Sequence, residues 1–388
     1  MTATSTASTD VPSSGWRTAR GPYRVAPLGA HTDHQLGHVS GFSIEPAVKL
    51  KFRSRNDREI RAVSRDFPGE EAFVLGAEGP PTGTYGDYLR GVAAGLGRLH
   101  PLHRGMDVEI AGELPCGGVA SSAALQCAFL LAIAETNSLS LDKAAAMRLV
   151  VEAERSYAGV AVGLLDPAVI LYGEPGKLVS LDCKEGLPRA QRLARSLPRF
   201  RFLLVSSGVV RDLRDGRYNE RVAECRNAAR LLGSTGDPPV LRDTTLEDFR
   251  RKRKTLPPIE ASRAEHVLSE NKRVRDGLAA LQQGDLRTFA ALVDASGDSR
   301  TMSFGAGVPE TVLLLRLLRA ASGVLAATYS GAGFGGNVLA LAAADVDPAR
   351  VLDAVRGPYA AAFPDAARGL SATVADIGDG AKILASDA

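Results

Sequence analysis

Glu113-Leu-Pro-Cys-Gly-Gly-Val-Ala-Ser-Ser-Ala-Ala-Leu125, continuing as an apolar, alanine-rich run to Glu135, is the stretch around which the chain is organised. A Pro115-x-Gly117-Gly118 turn opens through Val119 and Ala120 into good helix formers, with Ser121 and Ser122 at the junction. Such a loop delivers bare backbone N–H groups to a helix N-terminus, where unpaired donors and the helix dipole both favour an anion. The glycines permit positive φ and let a phosphate approach the main chain. Either serine hydroxyl can reach a magnesium ion beside that phosphate. No lysine follows the glycines, so this is not a Walker P-loop. An ordinary capped helix after a glycine turn has the same local pattern, so the decision rests on the rest of the chain.

The chain has 388 residues, 45% apolar and 23% charged, which reads as a soluble globular protein of two domains. A net charge of +3 gives no argument for a nucleic-acid or membrane partner. No uninterrupted apolar run approaches the roughly 20 residues that a bilayer requires. Residues 1–15 are rich in Ser and Thr and lack both a basic and an apolar segment; they read as a disordered tail, drawn to residue 18, and not as a signal peptide. Cys116, Cys127, Cys183 and Cys225 are scattered, without a Cys-x-x-Cys pair. That usage fits a reduced, cytoplasmic protein, with Cys116 the one to watch for reactivity.

Residues 21–46 bring a short strand into a polar loop around Gly29, where His31, His34 and His38 surround Asp33. These side chains suit a zinc site, a sugar site in which Asp and His exchange hydrogen bonds with vicinal hydroxyls, or a plain polar turn. Over residues 48–75 apolar and charged residues alternate, the period-two pattern of half-exposed antiparallel strands. Residues 85–99 read as an amphipathic helix, 105–111 as a strand and 141–157 as a second helix, with Glu152 and Glu154 on its exposed face by default. Gly163-Leu-Leu-Asp166-Pro167 sets a lone acid in apolar surroundings, either a helix cap or a carboxylate with a tuned pKa. The texture restarts at Phe200, which places the domains at residues 19–198 and 199–388. The basic run Arg250-Arg-Lys-Arg-Lys254 lies between an acidic pair and Pro257-Pro258 and reads as a solvated helix end, not a nucleic-acid patch. Helices follow over 266–283, 285–295 and 310–320. Ser330-Gly-Ala-Gly333-Phe-Gly-Gly336 then enters an apolar strand over 338–341, as if backbone packs there against another backbone or a ligand.

Residues 114–125 resemble the phosphate-binding motif of the GHMP small-molecule kinases, and residues 330–336 resemble their C-terminal glycine motif. Arg24-Val25 followed by Gly29-Ala30-His31-Thr32-Asp33 is similar to the galactokinase signature Arg-Val-Asn-Leu-Ile-Gly-Glu-His-Thr-Asp-Tyr. Ala153-Glu154 and Gly163-Leu-Leu-Asp166 resemble the family's Ala-Glu-His and Gly-Ile-Met-Asp segments. Tyr218 with Arg221 and Cys225, residues 266–271, and Val308-Pro309-Glu310 also fall where a galactokinase has them. The resemblance runs from about Pro22 to the end of the chain, and several separated motifs in the right order carry more weight than any one.

The resemblance implies an α+β, two-domain GHMP kinase fold: a ribosomal-S5-like N-terminal domain and a ferredoxin-like C-terminal domain, with ATP between them. It implies transfer of the γ-phosphoryl group of ATP to the anomeric hydroxyl of a monosaccharide. Asp166 would accept the C1 proton, and Arg24 would lie beside it and stabilise charge developing on the sugar and phosphoryl oxygens. Ser122 (or Ser121) and Glu154 would hold Mg2+. Pro115, Gly117, Gly118, Val119, Ala120, Ser121, Ser122 and Gly333 would line the nucleotide. Ala30, His31, Asp33, His34 and Gly163 would surround the sugar, with Tyr218 closing the pocket. Phosphoryl transfer demands positioning and electrostatics more than covalent chemistry, and an anomeric hydroxyl is acidic enough for a carboxylate base.

Departures from the galactokinase pattern bear on the substrate. The usual Glu is Ala30, Asn-Leu is Ala26-Pro27, and the Tyr after the Asp is His34. In galactokinases that Glu sits at the C6 end of the sugar, so Ala30 removes a negative charge and opens volume. A C6 carboxylate beside a Glu would be repelled, or one of the two would be forced to hold a proton. Tyr23-Arg24-x-x-Pro27-Leu28-Gly29-Ala30-His31-x-Asp33-His34-Gln35 is similar to the pattern of plant-type galacturonate kinases, which favours D-galacturonate over D-galactose. A sugar-responsive regulator without turnover is the further alternative. A cation or imidazole must then meet the carboxylate, with His34, His38, Arg211, Arg214 and Arg217 as candidates. Ala120 replaces the first Ser of a triple-Ser run, and Pro167 replaces the Gln after the catalytic Asp.

Overall fold

A computed structural model describes residues 15–115, 117–209 and 216–385; Cys116, Arg211, Arg214 and most of the N-terminal tail lie outside them. The first lobe runs β1 (Arg17–Val25), β2 (His38–Ser54), β3 (Glu59–Ser64), β4 (Glu70–Val74), α1 (Gly86–Leu99), β5 (Met106–Gly112), α2 (Ser121–Thr136), α3 (Lys143–Ala153), α4 (Leu165–Tyr172), β6 (Lys177–Asp182) and β7 (Arg189–Arg192). The second contains β8 (Phe200–Ser207), α5 (Arg217–Leu232), α6 (Leu246–Lys252), α7 (Pro258–Gln283), α8 (Leu286–Ser299), α9 (Pro309–Ala320), β9 (Val324–Tyr329), β10 (Asn337–Ala343), α10 (Pro348–Ala362), α11 (Pro364–Ala367) and β11 (Leu370–Ala375). A last short strand, β12 (Lys382–Ile383), returns to pair with β1 at Ala19 and Arg20.

The first sheet has the order β12-β1-β2-β5-β3-β4, with β6 on β2 and β7 on β6. The alternation over residues 48–75 gave the burial of these strands but not all of their partners. β5 inserts between β2 and β3 and pairs with β3 in parallel. A period of two records which face is buried and carries no information about the neighbouring strand. β1 starts at Arg17, so Arg17 and Thr18, assigned to the tail on composition, are in the sheet, paired with Phe52 and Lys51.

Helix α2 is apolar on every side and buried through most of its length, as expected of a helix inside a core. It lies against β1 so closely that a Cβ on Gly21 would stand 2.0 Å from the Ala124 carbonyl oxygen. The second sheet, β11-β8-β10-β9, is antiparallel throughout. Its alternating residues serve two cores: Phe202, Leu204, Leu339 and Leu341 join the core of the first lobe, whereas Leu203, Val205, Val338 and Ala340 pack under α9 and α10. This shared sheet fixes the two lobes against each other.

Helix α7 starts at Pro258, two turns before the 266 read from sequence. Proline suits the first turn because its missing N–H is one of the helix's unpaired donors. Those turns meet the α5–α6 cluster through the small Ala261 and Ala264, which leave little mark on a hydropathy pattern. The basic run 250–254 is the exposed end of α6 and the turn after it. Among the described residues no helix is long and apolar enough to cross a membrane.

Replacing Gly21 by alanine drives a methyl into the main chain of α2, an overpacking cost of about 1–3 kcal/mol. A fall in Tm of several degrees is expected by thermal denaturation; an unchanged Tm would show that β1 and α2 can separate cheaply.

Candidate active site

Two glycine loops meet at the junction of the lobes. Gly117 (φ 143°), Gly118 (φ 77°) and Ala120 (φ 60°) turn the chain into α2, whose first amides have no side-chain cap. The second loop packs on this one backbone to backbone. A Cβ on Gly331 would lie 2.5 Å from the Gly118 Cα, and one on Gly118 would lie 2.6 Å from the Ser330 carbonyl oxygen. Ser330 Oγ donates to the Gly118 carbonyl (2.7 Å) and Asn337 Nδ2 donates to the Gly117 carbonyl (2.6 Å). Arg300, fully buried, braces the second loop by donating to the carbonyls of Tyr329 (2.5 Å) and Gly331. Gly333 turns the other way, against Arg300 and Ala306, so Gly331 and Gly336 are the glycines that meet the first loop.

Arg24, at the end of β1, joins this loop to the acid of α4. Its Nε donates to Asp166 Oδ1 (2.7 Å) and its Nη1 to the Gly118 carbonyl (2.8 Å). Asp166 sits in the first turn of α4 and keeps 29% of its side chain exposed, against 6% for Arg24. The carboxylate therefore stays accessible to solvent.

Glu154 is buried, where helix periodicity placed it on an exposed face beside Glu152. A π-helical turn over Glu154–Ala158 ends α3 and rotates the side chain inward. Ser122 Oγ (2.9 Å) and Gln126 Nε2 (2.8 Å) donate to its two oxygens. Burial pushes Glu154 up to about 7 against these hydrogen bonds, with the Asp166 charge adding to the rise. The hydroxyl of Ser121 beside them is buried without a hydrogen-bond partner.

The polar loop after β1 folds into one turn, Asp33–Gln35, reached through His31 at φ 65°. Asp33 accepts from the backbone N–H groups of His34 (2.9 Å) and Leu165 (3.4 Å). Any Cβ on Gly163 would stand 2.3 Å from its carboxylate. Burial, then the charge of Asp166, raises Asp33 to about 6. His31 donates from Nε2 to the Ala332 carbonyl (3.0 Å) and stacks on Phe304 at 4.1 Å. Burial and the Arg300 charge hold it well below its usual range, hence neutral. Tyr218, on α5, brings its ring within 5.9 Å of both His31 and His34. His38 does not join them; its Nδ1 lies 3.7 Å from Asp182 at the edge of the sheet. The zinc reading of the three histidines gains nothing here: among the described residues no three His, Cys, Asp or Glu side chains form a metal-holding group.

Helix α7 supports the loop through residues to which the sequence assigned no role. Glu270, fully buried, accepts from the Gly29 N–H (2.7 Å), Ser296 and Arg273, and Asn271 accepts from the His38 N–H (2.8 Å). His266 Nε2 donates to the Ala30 carbonyl (3.1 Å). A carboxylate set in the apolar stripe Val267–Val274–Leu281 was the available signal for Glu270. Nothing local marks Arg300.

The model of the GHMP kinases N-terminal domain matches residues 87–174, and that of the GHMP kinases C-terminal matches residues 278–361. The chain is 33% identical to a galacturonokinase of Arabidopsis thaliana over 395 aligned positions, covering 94% of this chain and 92% of the relative. It is 34% identical to a galactokinase of Chloroflexus aurantiacus, covering 85% and 84%. The crystal structure of Lactococcus lactis galactokinase complexed with galactose superposes with a TM-score of 0.87 at 28% identity, covering 95% of each chain. Domain models, relatives and fold agree with one another, and the chain belongs to the galactokinase family of the GHMP kinases.

Proposed function

We propose that the protein transfers the γ-phosphoryl group of ATP to the anomeric C1 hydroxyl of a galactose-type sugar, with D-galacturonate preferred. The observation that carries this reading is the Arg24 bridge, which sets an accessible carboxylate and a glycine-lined anion loop within the reach of one side chain. Asp166 accepts the C1 hydroxyl proton as O1 forms its bond to the γ-phosphorus. The bond from that phosphorus to the bridging oxygen breaks, and its electron pair leaves with ADP. Arg24 faces the negative charge on the transferring group, in a buried setting where such charge stabilisation is strong. The amides around Gly117, Gly118 and the start of α2 hold the phosphates. Asp33 and His31, both fixed by backbone hydrogen bonds, orient the sugar hydroxyls, and Tyr218 flanks them.

The oxygens of Ser122 and Glu154 form a donor set suited to a hard divalent cation, and no basic side chain pairs with Glu154 among the described residues. Ser122 and Glu154 would hold Mg2+ there, which would supply positive charge against the phosphates of the nucleotide. Preference for galacturonate is supported by Ala30, which leaves the C6 end of the pocket without the galactokinase carboxylate, and by the imidazole of His34 in place of a tyrosine.

An ADP-release assay across galactose, galacturonate, glucuronate and arabinose tests the substrate. Galacturonate is expected to give the highest kcat/KM; turnover of galactose well above galacturonate would overturn the preference. Asp166→Asn is expected to lower turnover about a thousandfold with ATP still bound. A near-normal rate would show that another carboxylate is the base.

Glu154→Gln separates stability from activity. The folded-state value near 7 lies above the ordinary 4.5, so the charge opposes folding by roughly 3 kcal/mol above pH 7, and this cost fades as pH falls from 7 to 4.5. Gln126 Oε1 is buried without a partner and can accept from the new amide. The metal-free variant is therefore expected to have a higher Tm than wild type at pH 8 and an equal one near pH 5, with Mg2+-dependent turnover lost. A lower Tm at pH 8 would contradict the assignment.

A further inference from the structure

We propose that Arg226 and the Nε2–H of His34 together receive the C6 carboxylate of the sugar, an inference that rests on the galacturonate reading above. His34 is 6% exposed, and its Nε2 has no hydrogen-bond partner. The tautomer follows from its neighbour. The fully buried Gln35 accepts from the Leu241 N–H through Oε1 (3.1 Å), which leaves its amide nitrogen to face His34 Nδ1 (3.1 Å). Nδ1 is thus an acceptor, and the proton resides on Nε2. A neutral imidazole in this state presents one unused buried donor beside Tyr218, which calls for an acceptor from a ligand.

Arg226 supplies the charge. It lies on α5 at the positions Tyr218, Val222, Arg226, one face at helical spacing, and α5 packs against the Asp33–Gln35 turn. The Cα–Cβ bonds of a helix tilt toward its N-terminus, which for Arg226 is the end of α5 that carries Tyr218. Its Nε is buried with no hydrogen-bond partner, and it makes no ion pair among the described residues. Burial and then the Arg226 charge lower His34 to about 3, so this guanidinium is the charged group felt most strongly by the imidazole. Among the described residues the neighbouring cations are committed elsewhere: Arg221 and Arg263 to Glu224, Arg217 over the Phe334 ring, and His38 to Asp182. Arg155 is the rival, but it is exposed and gives both Nε and Nη2 to the Val162 carbonyl. A half-buried guanidinium and a buried N–H donor, neither of them paired with an acid among the described residues, match a carboxylate ligand.

Steady-state kinetics on galacturonate and galactose test this in wild type, Arg226→Met, Arg226→Lys and Arg155→Met, with ATP binding as the check on folding. Arg226→Met is expected to lower the galacturonate-to-galactose ratio of kcat/KM by about 30-fold or more, chiefly through the galacturonate KM. Arg226→Lys should restore most of it, and Arg155→Met should leave the ratio in place. An equal loss on both sugars, no loss at all, or a selective loss in Arg155→Met instead would overturn the assignment. A wild type that prefers galactose would overturn the substrate reading, and this inference with it; a wild type that prefers galacturonate beside an indifferent Arg226→Met would overturn this inference alone.

Discussion

Arg24 places one guanidinium between the acid of α4 and the carbonyl of the first glycine loop, and the rest of the site is arranged around that pair of hydrogen bonds. A buried guanidinium is costly unless its donors are matched, and removing it would strand both acceptors. Its position at the end of β1 brings it against the first glycine loop. At Arg24 the strand pairs with Ser43 of β2, and the Arg24 N–H donates to the Val119 carbonyl of the first glycine loop (3.2 Å), so its main chain is held from both sides.

The second constraint is steric. Gly118 and Gly331 approach so closely that neither tolerates a side chain, and Ser330 and Asn337 close the contact by hydrogen bonds across the lobes. The loop that would cradle phosphate is thus shaped by the lobe that faces it. The second sheet contributes by giving one set of its alternating residues to each core, so the lobes meet over a packed surface. Glu270 and Asn271 extend the same logic to the polar loop after β1, where α7 pins the backbone of residues 29 and 38.

What could be read from the sequence was local. Gly117-Gly118, the second glycine cluster and the acid at Asp166 are visible as spacing and composition, and the motif around His31 and Asp33 as a run of polar residues after a strand. Periodicity failed where geometry departs from a regular helix: Glu154 looked exposed until a π-helical turn rotated it, and only the family resemblance had marked it. It also failed where a contact joins distant positions. The insertion of β5 between β2 and β3, the brace from Arg300, and the approach of Arg226 to His34 join residues far apart in the chain, and no local pattern encodes them. Arg226 in particular reads as one more arginine on a polar helix until the packing of that helix against the Asp33–Gln35 turn is known.

Phosphorus NMR of the product formed from galacturonate and ATP tests the convergence of Asp166, Arg24 and the glycine loop most directly. A single phosphate coupled to the anomeric proton of the sugar is expected, since Arg24 holds Asp166 and the first glycine loop together. A phosphate on another hydroxyl, or ATP consumed with no sugar phosphate formed, would contradict it.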